Sequence, residues 1–262
     1  MDLNLKGKEA FVSGSSQGIG SASAIELSIL GANVTIVGRN IELLESTFRK
    51  LDVSDGQKHK ILVVDYSKRG ELEAELDKYL AQGNSIDILV NNMGGPKAGA
   101  TYKAGIDEFE EAFYNHIINN HILVQAFIPN MKEKGWGRII NIISTSVKAP
   151  IKGLGVSNTI RGAVGNWSKT LSNELGKYNI TVNNVLPGST LTARHDDIVK
   201  MKADKTGKSM EEIEWEMKEL IPMKRFAAPN EIANAVAFLA SPAADYINGI
   251  NIPVDGGKTG NL

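Results

Sequence analysis

The sequence predicts an α/β fold, a doubly wound parallel sheet in a single domain over residues 1–262. Short apolar runs alternate with helical patterns along the whole chain, which implies parallel strands joined by right-handed helical crossovers. The first run, Ala10-Phe11-Val12, leads into Gly14-x-x-x-Gly18-x-Gly20 and then a helical pattern from Ser21. Gly14, Arg39, Asp65, Asn91, Ser144 and Gly188 all follow the ends of such runs, where ligands bind in an open parallel sheet.

The glycines allow a sharp turn and close approach of a ligand to the backbone. The helix after them points its free N–H groups over the loop, which favours a pyrophosphate. Strand, glycine turn and helix together read as a dinucleotide site in a Rossmann-like fold. A second strand over 33–37 ends in Gly38-Arg39-Asn40. The first charged side chain there is basic. It suits the 2′-phosphate of NADP, the alternative being a solvated turn arginine. The third strand, 61–64, closes on Asp65-Tyr66, where Asp65 either accepts from an adenine amino group or caps the next turn. A fourth strand over 86–90 precedes Asn91-Asn92-Met93-Gly94-Gly95-Pro96.

Asp107 with Glu110 reads as the start of a helix that reaches about Ile128, before Pro129. A fifth strand over 138–143 ends in Ser144-Thr145-Ser146. A long helix covers 156–175 and carries Ser157 and Arg161, and a sixth strand over 180–186 ends in Pro187-Gly188. Residues 189–222 are polar, charged and helical in pattern, as expected of a lid-like insertion over the site. A helix over 231–239 and a strand over 250–254 finish the chain.

Composition removes several classes of function. The net charge is −1, which gives no electrostatic case for nucleic acid or a membrane surface. No apolar run approaches the roughly 18 residues of a spanning helix. There is no cysteine, hence no disulfide, thiol nucleophile or thiolate metal site, in keeping with a cytoplasmic location. With four histidines and no H-E-x-x-H, no catalytic metal is expected.

Ser13-Gly14 through Gly18-Ile19-Gly20, Asn91-Asn92-Met93-Gly94, Ser144, Pro187-Gly188 with Thr192, and Asp255-Gly256-Gly257 occur in an order that resembles the short-chain dehydrogenase/reductase family over nearly the full length. The likeness is nearest to the 3-oxoacyl-(acyl-carrier-protein) reductase-like branch. The resemblance implies an NADP-dependent oxidoreductase for a small carbonyl or alcohol substrate, assembled as a tetramer or dimer, of which the homotetramer is expected. It implies cofactor contacts at Gly14, Ser15, Ser16, Gly18, Ile19, Gly20, Arg39, Asp65, Tyr66, Asn91, Met93, Gly94, Pro187, Gly188, Thr190 and Thr192.

Family members use Ser, Tyr and Lys, with an Asn on the fourth helix. Ser144 matches, but Ser157 stands at the tyrosine position, Arg161 at the lysine position and His116, beside Asn115, at the asparagine position. A serine is a far weaker acid than a tyrosine, and arginine keeps its proton. The expected catalytic set is therefore Ser144, Ser157, Arg161 and His116. Ser144 holds the carbonyl oxygen, Arg161 holds a ribose, an oxyanion or a substrate carboxylate, and His116 or water is the proton donor. Lys148 and Lys152 are further proton-donor candidates. His195 is expected to be solvent-exposed, and Trp167 and Trp215 to pack. The altered set also admits an NADP(H)-binding protein without turnover, and, less well supported by the cofactor loops, an enzyme without net redox chemistry.

Overall fold

The computed structural model describes residues 1–260. Seven parallel strands form one sheet in the order β3-β2-β1-β4-β5-β6-β7. They are β1 (Glu9–Val12), β2 (Asn33–Gly38), β3 (Lys60–Val63), β4 (Ile88–Asn92), β5 (Gly137–Ile142), β6 (Ile180–Pro187) and β7 (Asn251–Val254). Strand order reverses between β1 and β4, which opens a crevice beyond their carboxyl ends. The central strands β1, β4, β5 and β6 are buried almost throughout, so their apolar runs also carry buried polar residues such as Asn91, Asn141 and Asn184.

Helices α1 (Gly18–Ile29) and α9 (Pro229–Ala240) cover one face. Helices α3 (Glu71–Ala81), α5 (Asn119–Lys134) and α6 (Gly155–Leu175) cover the other. Helix α2 (Ile41–Phe48) follows β2, capped by Asn40 Oδ1, which accepts from Leu43 N at 3.0 Å. Helices α7 (Ala193–Thr206) and α8 (Met210–Glu219) form the segment after β6. They enclose their own cluster of Val199, Ala203, Ile213, Met217, Ile221 and Phe226.

Several boundaries differ from expectation. Helix α1 begins at Gly18, three residues early, so two of the glycines lie inside it. The helix before β5 starts as α4 (Ile106–Phe113), with Glu108 Oε1 accepting from Gly105 N at 3.1 Å in place of an Asp107–Glu110 box. It passes through a π turn, Tyr114–Ile118, and continues as α5 beyond Pro129 to Lys134. An interior proline costs about 3 kcal/mol. Burial of Phe127 and Met131 and a left-handed Gly135 cap, with Trp136 N donating to the Met131 carbonyl at 3.1 Å, offset that cost.

A chain of amides crosses the sheet. Asn91 Nδ2 donates to Asn141 Oδ1 (2.8 Å), Asn141 Nδ2 to Asn184 Oδ1 (2.9 Å), and Asn184 Nδ2 to Asn251 Oδ1 (2.8 Å). These residues are register partners on four successive strands. Buried amides in such a row satisfy one another only in this register, which penalises a slip.

Candidate active site

The glycine turn is shaped by contact as well as by torsion. A Cβ on Gly14 (φ +55°) would lie 2.5 Å from the Asn92 carbonyl oxygen, and one on Gly20 would lie 2.2 Å from the Gly14 carbonyl oxygen. Asn92 Nδ2 also donates to the Gly14 carbonyl at 3.0 Å, locking the turn against the end of β4. Gln17 caps α1 without a side-chain bond and no acid occupies its first turn. The first-turn N–H groups are therefore left for an anion.

A cleft of about 1540 Å³ lies above these elements. It is large enough for a dinucleotide with a small substrate beside it. Gly14, Ser16, Gly18 and Ile19 line one end of it. Arg39, Asp65 and Tyr66 line it at the ends of β2 and β3, and Met93 and Gly94 follow β4. Pro187, Gly188, Thr190 and Thr192 line it after β6, and Ser144, Ser157 and Arg161 complete the opposite wall. Asp65 is held below its ordinary range, chiefly by the Ser67 hydroxyl, with Arg39 nearby adding to the effect. Tyr66 faces the cleft but is buried, which pushes its phenol well above its ordinary value.

Four expected residues do not line the cleft. Ser15 is buried, donating to the Val12 carbonyl at 2.8 Å and accepting from Val37 N at 2.7 Å, so it ties the turn to two strands. Gly20 faces the Gly14 carbonyl rather than the cleft. Asn91 belongs to the amide row, and Asn92 faces the cleft because neighbouring side chains on a strand point to opposite faces. His116 is 3 % exposed. Burial, with the Arg161 charge, holds it well below its ordinary 6.5, and the Gly94 backbone opposes the shift only weakly. His116 thus lies behind the cleft wall rather than in it, and burial disfavours the protonated form that a general acid needs. Asn115, its neighbour in the π turn, lines the cleft instead.

Arg161 is almost fully buried in α6. Nη1 donates to the Ile142 carbonyl (2.9 Å) and Nη2 to the Met93 carbonyl (3.2 Å). Burial, with Arg194 nearby, lowers it to about 10. It thus remains a cation at neutral pH. Ser144 lies at the start of a 3₁₀ turn, Thr145–Val147, where Oγ accepts from Ser146 N at 3.1 Å. Ser157 and Arg161 are one helical turn apart on α6.

His195 is also a correction. It is 5 % exposed, packs edge-on to Phe226 with ring centroids 4.3 Å apart, and lines the cleft. Phe226 arrives from beyond α8, so nothing local in the sequence marks this burial. Trp167 packs against buried residues as expected, whereas Trp215 is 65 % exposed. Lys152 lines the cleft.

A glycine turn on an uncapped helix at the switch point, with two serines and a buried arginine across the cleft, defines a dinucleotide-binding site of the short-chain type. The family model described as Enoyl-(Acyl carrier protein) reductase matches residues 14–259, and the chain belongs to this short-chain dehydrogenase/reductase family. Among relatives, 3-oxoacyl-[acyl-carrier-protein] reductase FabG of Aquifex aeolicus is 31 % identical over 258 residues, covering 98 % of this chain and 99 % of that protein. NADPH-dependent reductase BacG of Bacillus subtilis is 31 % identical over 252 residues, covering 96 % of this chain and 97 % of that protein. L-Sorbose reductase from Gluconobacter frateurii, solved with NADPH and L-sorbose, superposes with a TM-score of 0.92 at 30 % identity, covering all of both chains.

Proposed function

We propose that this chain is an NADP(H)-dependent oxidoreductase acting on a carbonyl or alcohol, with two serines and an arginine in place of the usual proton-donor set. The single observation that carries the reading is that Ser144, Ser157 and Arg161 share one cleft with the glycine turn and the uncapped start of α1. The cofactor is NADP(H). The site suits it: α1 offers first-turn N–H groups to a pyrophosphate, and Arg39 faces the cleft with no carboxylate bonded to it among the described residues, free for a 2′-phosphate. Its NADPH-dependent relatives support the same choice.

When bound, NADPH would supply a hydride to the carbonyl carbon. The carbonyl π electrons then move to oxygen, and that oxygen needs a proton. Ser144 and Ser157 donate hydrogen bonds to it, and the buried Arg161 charge stabilises the developing anion. Neither hydroxyl is acidic enough to give up its proton outright, so water delivers the proton through them. Asn115 faces the same cleft and orients that water. Helices α7 and α8 close over the substrate as a lid.

The working form is a homotetramer, with partly exposed apolar side chains such as Phe113 available for pairing. The absence of cysteine suits the cytoplasm. Among the described residues no helix is long and apolar enough to cross a membrane. NADPH consumption against a broad carbonyl panel, run beside an NADPH binding titration, tests the reading. Binding without consumption favours a non-catalytic cofactor-binding protein, which the two carbonyl bonds of Arg161 make the second reading.

A further inference from the structure

We infer that the carbonyl compound taken by this cleft carries an oxyanion of its own, a carboxylate or a phosphate, seated against Arg161 and Arg194. This rests on the oxidoreductase reading for the carbonyl, and on the charge of the cleft for the oxyanion.

The whole chain is balanced, with 29 basic and 30 acidic side chains. The cleft is not: seven basic and two acidic side chains line it. One acid, Asp65, is beside Arg39 at the adenosine end. The remaining six cations are Lys152, Arg161, Arg194, Lys202, Lys205 and Lys258, against Glu111 alone. None of the six is within ion-pair distance of a carboxylate among the described residues. A pyrophosphate met by α1 and a 2′-phosphate met by Arg39 leave this group in surplus.

Two of the cations converge. A Cβ on Gly95 would lie 3.9 Å from Arg161 Nη2 and 4.0 Å from Arg194 Nη2. Both guanidinium groups are held by backbone carbonyls only, Arg161 by Met93 and Ile142, and Arg194 by Pro96 at 2.8 Å. Arg161 Nε is buried with no partner. A buried cation beside a second cation, with no acid to offset either, is costly unless an anion joins them. The repulsion adds to burial in drawing Arg161 down to about 10.

Local structure points the same way. Thr192 caps α7, so Arg194 falls in the first helical turn, next to the positive end of the helix. That turn ordinarily favours acids. Asp196 lies in the same turn but forms no ion pair with Arg194 among the described residues, so the guanidinium charge is left to the cleft. Two fork-shaped donors suit the paired oxygens of a carboxylate or phosphate. Lys202, eight residues on from Arg194 and so about 12 Å along the helix, lies near Lys258 and extends the positive wall.

Calorimetric titration of the NADPH-saturated protein tests this with matched probes: 2-oxo and 3-oxo acids against their methyl esters, and ketose phosphates against the free ketoses. At least one charged probe should bind about tenfold or more tighter than its neutral partner, the loss expected for a charge-assisted pair. The arm that shows this preference identifies carboxylate or phosphate. Arg194→Gln should abolish the preference, Arg194→Lys should restore part of it, and NADPH affinity should change little. Equal binding of charged and neutral probes, no binding of any charged probe, or a preference that survives Arg194→Gln overturns the inference. So does a loss of NADPH affinity in Arg194→Gln with the preference intact. Consumption of NADPH with neutral carbonyls alone overturns it while leaving the oxidoreductase reading standing. A charged-probe preference without NADPH consumption upholds the anion site and overturns that reading.

Discussion

Arg161 donates to the Met93 carbonyl at 3.2 Å, so its side chain joins α6 to the end of β4. Its second bond, to the Ile142 carbonyl, joins α6 to β5 as well. The two bonds hold the guanidinium as a strut at the head of the cleft.

Removing that strut should destabilise the protein. Arg161→Met removes a donor from the buried Ile142 carbonyl and from the part-buried Met93 carbonyl, at about 1–3 kcal/mol for a buried group left unsatisfied. Chemical denaturation should show a lower midpoint with an unchanged slope, and an unshifted midpoint would mean that the two bonds contribute nothing net.

Stability should fall as pH drops below about 6.5 through His116. Its folded-state value lies below the ordinary 6.5, so between the two the unfolded chain binds a proton that the folded chain refuses. Stability then rises with pH across that window, and the contribution is complete above 6.5. His195, also lowered by burial, acts in the same direction. Denaturation midpoints of His116→Gln should depend less steeply on pH below 6.5 than those of the parent. An identical slope in both would contradict the assignment.

Cofactor choice should depend on Arg39. A charge-assisted bond to a 2′-phosphate contributes about 1.5–3 kcal/mol, or roughly 10- to 100-fold in affinity. Fluorescence titration of Arg39→Ala should show that loss for NADPH and almost none for NADH. Equal affinities for the two in the parent protein would sink the idea.

The pattern of side chains within the site was legible where burial is uniform and illegible where it turns on one residue. The strands stand out because both faces of the sheet are covered. The glycine turn stands out because Gly14 adopts a positive φ and Gly20 has no room for a Cβ. Asn91 and Asn92 look alike in sequence, and only strand alternation separates the sheet residue from the cleft residue. Asn115 and His116 are exchanged for a comparable reason. A π turn departs from the 3.6-residue period, so facing cannot be counted from a distant landmark. Arg194 carries one signal in the sequence: a basic residue in the first turn after a capping threonine.

Asn115 and His116 should accordingly part company in kinetics. Asn115→Leu should lower turnover and leave NADPH affinity close to that of the parent, because its side chain faces the cleft. His116→Gln should keep most of its turnover with an unchanged pH profile. The opposite pattern in steady-state rates would restore His116 as the proton donor.

We propose hydride transfer in this cleft to a carbonyl held by Ser144. The most direct measurement is single-turnover NADPH consumption by the parent protein and by Ser144→Ala, with the best carbonyl from the panel. The parent should consume NADPH, and Ser144→Ala should do so about a hundredfold or more slower at unchanged NADPH affinity. Tight NADPH binding with no consumption by the parent, or a Ser144→Ala rate equal to that of the parent, would contradict it.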